Sequence, residues 1–258
     1  MKTLLFDLDD TITQEHRGID NALLEASRIV SRKYGLEPEL FRDTVRRTCR
    51  EIWSNSPARE YCINIGIGSR EALTGQFIGD NENLRILREW APTYRLQSWY
   101  QALEIHGIDD RQLARELADS LIEIRNRHHL VFESTPIVLK RLGKKYRLGL
   151  LTNGAPDIQQ GKINGSGVAK YFDAIVISGE YGISKPDPRI FDILLEKLNC
   201  PASEAAMIGN SLESDIRGAR NAGITSVWIN RTHEMPDPVI IPDYEIKSLS
   251  ELPGLFSG

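Results

Sequence analysis

Beyond Pro136 the chain alternates short apolar runs with stretches of helical periodicity, and this alternation limits the possible folds more than any other feature. The order is a helix through PIVLKRLGKK, strand RLGLLT, helix DIQQGKINGSG, strand FDAIVIS, helix PRIFDILLEKLN, strand AAMIG, helix SDIRGARNAG and strand TSVWI. A helix between two strands carries the chain back along the sheet, so such strands pair in parallel through right-handed crossovers. The runs are almost continuously apolar, as expected of strands covered by helices on both faces. KTLLFD at the N-terminus supplies one more strand of the same kind. The expected fold class is α/β, with a Rossmann-like parallel sheet.

Between that first strand and the alternating region the periodicity is helical throughout. Leu23, Ala26 and Val30 recur at helical spacing, as do Leu40, Thr44 or Val45, and Ile52, and then Leu113, Leu117, Leu121 and Ile124. Pro38 and Pro92 suit first turns of helices, and Ser69 and Asp109 suit N-caps. No strand pattern interrupts this stretch. It reads as an inserted helical bundle forming a cap, which predicts an α/β core from residues 1–12 and 134–258 and a helical cap from 13–133.

With 258 residues the chain can bury a full core, and a net charge of -4 offers no general attraction to nucleic acid or acidic lipid. No run approaches the roughly 18 apolar residues of a membrane span, and no leader precedes the first strand, so a cytoplasmic monomer or homodimer is expected. Cys49, Cys62 and Cys200 lack metal-ligand spacing and suit reduced thiols.

In open parallel sheets ligands gather beyond the carboxyl ends of the strands. Four of these ends carry polar groups: Asp7-Leu8-Asp9-Asp10-Thr11, Thr152-Asn153-Gly154, Ser184-Lys185-Pro186, and Gly209-Asn210-Ser211 through Asp215. This ordered set resembles the haloacid dehalogenase superfamily, with its DxDx[TV] motif, strand-terminal Ser or Thr, Lys and acidic GD-type motif. The resemblance covers residues 1–12 and about 134–257, and the intervening helices look like the cap that one branch inserts after the first motif. Within it, LLTNG, YFDAIVISGE, KPDPRIF, VWIN and the late ELP look most like the N-acylneuraminate-9-phosphatase and pyrimidine nucleotidase members.

The resemblance implies a phosphatase acting on a small phosphorylated metabolite. Asp7 would be the nucleophile and would be transiently phosphorylated, dividing one difficult displacement into two easier ones. Asp9 would protonate the leaving alkoxide and later take a proton from water. Lys185, the Thr152 hydroxyl and the Asn153 backbone or amide would offset charge on the phosphoryl oxygens. Mg²⁺ would be held by the Asp7 side chain, the Asp9 carbonyl and the fourth motif.

Here the chain departs from the pattern, because Gly209 is followed by Asn210 where phosphatase relatives usually have Asp. A neutral amide oxygen attracts a hard dication less than a carboxylate does, so weaker metal binding is expected. Asp215 could hold Lys185 or a metal-bound water, or partly take over as ligand. Two other functions stay open: a metal-independent dehalogenase, against which Asp9 argues, and a phosphate-ester-binding relative weakened by Asn210. In the cap, Arg46, Arg47 and Arg50 with Trp53, Arg59 and Tyr61 form either an anion grip or a solvated helix face. His128-His129 suit a helix C-terminus as cations, and His16 sits near the cap hinge.

Overall fold

Six strands, Thr3–Phe6 (β1), Arg147–Thr152 (β2), Ala174–Ile177 (β3), Ala205–Gly209 (β4), Thr225–Ile229 (β5) and Tyr244–Ile246 (β6), form one parallel sheet. Its order is β3-β2-β1-β4-β5-β6. The computed structural model describes residues 1–235 and 237–256. The chain divides into two units: Met1–Gln14, Val131–Asn153 and everything from Ser166 onward, and Glu15–Leu130 with Gly154–Gly165. β6 lies at the sheet edge, and its three residues are too few to show a period in the sequence.

In the first unit the apolar strands are buried as their composition requires. Leu5, Leu151, Val176 and Met207 from four adjacent strands pack with Phe191 and Leu194 of the helix Pro188–Lys197. That helix starts at Asp187, whose side chain accepts from the Arg189 amide at 3.0 Å, with Pro188 in its first turn. The sheet order reverses between β1 and β4: the chain works outward from β1 to β3, then returns beside β1 and works outward again to β6. Strand register puts Phe6 beside both Leu150 and Ile208, so Asp7 leaves the sheet at this switch point.

The second unit is built on the helices Glu15–Tyr34 (α1), Pro38–Trp53 (α2), Arg59–Ile65 (α3), Ser69–Ala72 (α4), Glu82–Ile105 (α5) and Arg111–Asn126 (α6). Their apolar stripes meet in one core that includes Leu23, Val30, Phe41, Val45, Trp99 and Leu117. Pro38 opens α2 as expected, but Pro92 lies inside α5. The 24-residue helix buries Leu87, Ala91, Tyr94 and Trp99 around the proline, and this packing offsets the hydrogen bond that Pro92 cannot donate. Asn81 caps α5 instead, accepting from the Asn83 amide at 2.8 Å.

Two other caps differ by one residue from expectation. Asp110, not Asp109, caps α6 by accepting from the Leu113 amide at 3.0 Å, while Asp109 accepts from the Tyr100 hydroxyl. Ser69 is the first residue of α4, with Gly68 as its N-cap. Asp109 and Asp110 have equal capping propensity, so loop geometry chooses between them.

After Thr135–Leu142 (α7) and β2 comes the helix Pro156–Ser166 (α8); strand-helix alternation predicts that it packs with the sheet, but through Gly165 it clusters with the other helices. Its Asp157 accepts from the Gln76 and Phe77 amides at 2.8 and 3.0 Å. Lys162 lies 2.5 Å from Glu71 and 3.5 Å from Glu15. Glu15 in turn pairs with Arg125 at 2.5 Å, and these two side chains are only 8% and 6% exposed. Replacing Arg125 by Met leaves Glu15 buried without that cation, which should destabilise the protein by about 3 kcal/mol. Urea unfolding followed by far-ultraviolet circular dichroism measures this; an unchanged midpoint would show that Lys162 alone compensates Glu15.

Candidate active site

The centre of the site is the ammonium of Lys185, which is 3% exposed and so almost wholly removed from water. Its Nζ donates to Asp7 Oδ1 at 2.6 Å and to the Leu151 carbonyl at 2.8 Å, and lies 2.8 Å from Asp215 Oδ1. Two of its three N–H groups are thus used in hydrogen bonds, and the Asp215 carboxylate pairs with it as a counter-charge. Burial opposes its charge, but the Asp215 and Asp7 carboxylates outweigh burial and raise its pKa. Lys185 is therefore a fixed cation at the C-terminal edge of the sheet.

Asp7, directly after β1, is 7% exposed, and its amide continues the ladder by donating to the Ile208 carbonyl at 3.0 Å. Burial raises its pKa to about 7; Lys185 counters this, while Asp215 and Asp9 add to it. The turn that follows closes on the Leu8 carbonyl, which accepts from the Ile12 and Thr13 amides and the Thr13 hydroxyl at 3.1, 3.0 and 3.0 Å. Asp10 occupies the left-handed region with φ 58°, which Asp tolerates better than most residues.

β4 brings the fourth polar segment alongside. The Asn210 amide donates to Thr11 Oγ1 at 3.1 Å, and that hydroxyl donates to Asn210 Oδ1 at 3.2 Å. Asp215 Oδ2 accepts from the Ser211 amide at 3.0 Å, while Oδ1 makes no hydrogen bond but lies in ion-pair contact with Lys185 at 2.8 Å. Of the roles open to Asp215, holding Lys185 is the one this geometry displays. Gly209 makes it possible: a Cβ there would come within 2.2 Å of the Asp215 carboxyl, so only glycine lets that side chain lie against the strand end.

Thr152 ends β2 with 1% exposure. The Asn153 side chain is committed to the chain around Lys185: its Nδ2 donates to the Lys185 carbonyl, and its Oδ1 accepts from the Lys185 amide, both at 3.0 Å. This reciprocal pair commits the side-chain amide expected on a phosphoryl oxygen to the Lys185 main chain instead. Asp7, Asp9, Thr152, Asn153, Lys185, Asn210 and Asp215 all belong to the sheet-bearing unit.

Among the described residues no group of three or more His, Cys, Asp or Glu side chains is arranged to hold a metal. The oxygens at the strand ends nevertheless suit a hard cation. Asp7 has a raised pKa because burial and two neighbouring aspartates disfavour its charge, which a dication would relieve. An ion here would draw on the Asn210 amide oxygen and main-chain carbonyls as well as on Asp7.

In the helical unit the basic and aromatic cluster is not assembled. Trp53 and Tyr61 are buried in the core, Arg47, Arg50 and Arg59 are exposed, and Arg46 faces Asp20 and Asp43 at 3.7 Å each. The arginines form a solvated face. His128 pairs with Glu25 at 2.9 Å. His129 is not the expected cation: burial, then Arg125, Lys162 and His128, lower its pKa to about 4. His16 is exposed on α1.

Sequence reasoning missed the end of β5. Trp228 Nε1 donates to the Asn210 carbonyl at 2.9 Å, and Arg231 Nη2 donates to the Thr11 carbonyl at 2.8 Å. Their position at a strand end was the available signal, but they bind main chain, which no side-chain motif encodes.

The haloacid dehalogenase-like hydrolase family model matches residues 1–223. The chain is 36% identical to phosphoserine phosphatase of Thermus thermophilus, over 98% of each chain. It is 28% identical to N-acylneuraminate-9-phosphatase of Mus musculus, over 99% of this chain and 93% of that one. A magnesium-bound HAD-hydrolase structure from Bacillus subtilis shares the fold with a TM-score of 0.68 at 22% identity, over 100% and 99% of the two chains.

The raised pKa of Asp7 has a measurable consequence. Unfolded, its carboxyl loses its proton near pH 4; folded, it keeps it to about 7. Between those values the folded state binds the extra proton, so stability falls as pH rises through the window and levels off above it. With divalent cations chelated, Asp7→Asn should become progressively more stabilising relative to the parent from pH 4.5 to 7.5. Denaturant unfolding at several pH values checks this; a constant difference between the two proteins would mean that Asp7 ionises normally.

Proposed function

Because the chain belongs to the haloacid dehalogenase-like hydrolase family, we propose that it is a phosphatase that cleaves a small phosphate monoester through an aspartyl phosphate on Asp7, with Mg²⁺ as cofactor. The observation that carries this reading is the buried Asp7 carboxylate, held by Lys185 at 2.6 Å at the sheet's switch point. Its second oxygen is left to act as nucleophile.

Lys185 and the Thr152 hydroxyl offset charge on the phosphoryl oxygens as Asp7 approaches phosphorus. Asp215, through its contact with Lys185, keeps the ammonium charged and in place. Asp9 gives its proton to the departing alkoxide, and the same carboxylate then takes a proton from the water that cleaves the acyl phosphate and frees Asp7. Asp7, the Asp9 carbonyl and Asn210 would hold Mg²⁺, whose charge neutralises the phosphoryl group and favours ionised Asp7.

Asp9 favours phosphate-ester cleavage over dehalogenation, because halide departs without a proton. The two phosphatase relatives argue the same way. Phosphoserine and acylneuraminate 9-phosphate are therefore the first esters to assay, alongside nucleoside monophosphates and phosphoglycolate. The three free cysteines fit a reducing cytoplasm.

Phosphate release from this panel, with and without Mg²⁺, tests the reading. Asp7→Asn should abolish turnover, and Asp9→Asn should lower kcat about 10²–10⁴-fold; appreciable turnover by folded Asp7→Asn would sink the mechanism. Asn210→Asp adds an anionic oxygen where the amide now accepts from Thr11. It should lower the Mg²⁺ concentration for half-maximal rate about tenfold, equivalent to about 1.4 kcal/mol. Superimposable titrations would remove residue 210 from the ligand set.

A further inference from the structure

We propose that Arg231, a residue outside every motif of the site, positions the Asp9–Thr11 turn and thereby sets the aim of Asp9. Arg231 lies two residues beyond the end of β5. It does two things at once: Nη2 donates to the Thr11 carbonyl at 2.8 Å, and the guanidinium lies over the Phe132 ring, 3.7 Å from its centroid. A planar guanidinium can stack on a ring while an in-plane N–H reaches a carbonyl, and an ammonium cannot reproduce both.

The two contacts fall on two chain segments that hold each other. Phe132 donates its amide to the Ile12 carbonyl at 3.3 Å, the Thr135 hydroxyl donates to the same carbonyl at 3.0 Å, and Thr13 bridges Val131 in antiparallel fashion. Arg231 therefore ties the segment leaving the first motif and the segment returning at 131–135 to the end of β5. The turn needs such a tie because Asp10 sits at φ 58°, a sparsely populated region that persists only where its surroundings over-determine it. The Thr11 hydroxyl is fixed by Asn210, and the Thr11 carbonyl by Arg231. Arg231 Nε is buried with no hydrogen-bond partner, a desolvation penalty that accompanies this placement.

This inference rests on the phosphatase reading for its effect on chemistry, but not for its effect on the turn. Asp9 acts on the leaving oxygen, so displacing its main chain harms departure of a basic alkoxide more than departure of a phenolate, which needs little protonation. Arg231→Met keeps an apolar stem beside Phe132 and removes the donor. Its kcat on an alkyl phosphate such as phosphoserine should fall about tenfold, with KM within about twofold and a loss on p-nitrophenyl phosphate below about threefold. Arg231→Lys, which restores a donor but not the planar stack on Phe132, should recover only part of the alkyl-phosphate rate.

Amide exchange of the peptide spanning residues 8–13, read by mass spectrometry, should accelerate about tenfold or more in Arg231→Met while the sheet strands stay protected. Unchanged exchange, or equal losses on alkyl and aryl esters, would overturn the proposal. Parent protein inert on every ester would defeat the phosphatase reading instead, and the exchange result would still decide whether Arg231 positions the turn.

Discussion

The contact between one buried ammonium and two buried carboxylates organises this site. Lys185 is nearly water-free; it donates to Asp7 and to the Leu151 carbonyl and is ion-paired with Asp215. Breaking such a contact strands a charge in a poorly solvated place, which costs far more than the loss of an exposed pair. The neighbouring features can be understood as supports for it. Asn153 clamps the Lys185 main chain, Gly209 leaves room for the Asp215 carboxyl, and the Ser211 amide turns that carboxyl toward the lysine.

The same contact leaves the local charge unbalanced. Burial and two other aspartates hold Asp7 near a pKa of 7 despite the lysine at its side. A carboxylate poised in this way would gain from an added cation, and the Asn210 amide would offer such an ion an oxygen without adding to the repulsion. Asn210 also joins the first and fourth motifs directly through its contacts with Thr11.

The helical unit shows a parallel economy of charge. Glu15, Glu71, Arg125 and Lys162 come from four different helices and neutralise one another where little water reaches. Lys162 and Asp157 bind α8 into this unit, although α8 begins only a few residues after Thr152.

The strand-helix alternation beyond Pro136 determined the parallel sheet, because connections of that length admit few other pairings. The order of polar strand ends determined which residues meet, since parallel strands present all their carboxyl ends on one edge. Tertiary structure alone decided what each residue holds. Asn153 reads as a phosphate contact until its partner is seen to be the Lys185 backbone. Asp215 has several possible roles until its ion pair with Lys185 is seen. The contacts of Trp228 and Arg231 are invisible to motif reasoning because they are made to carbonyls, which every residue possesses. Periodicity and residue order report where the chain must go, whereas hydrogen bonds to main chain depend on distances that exist only once strands far apart in sequence lie side by side.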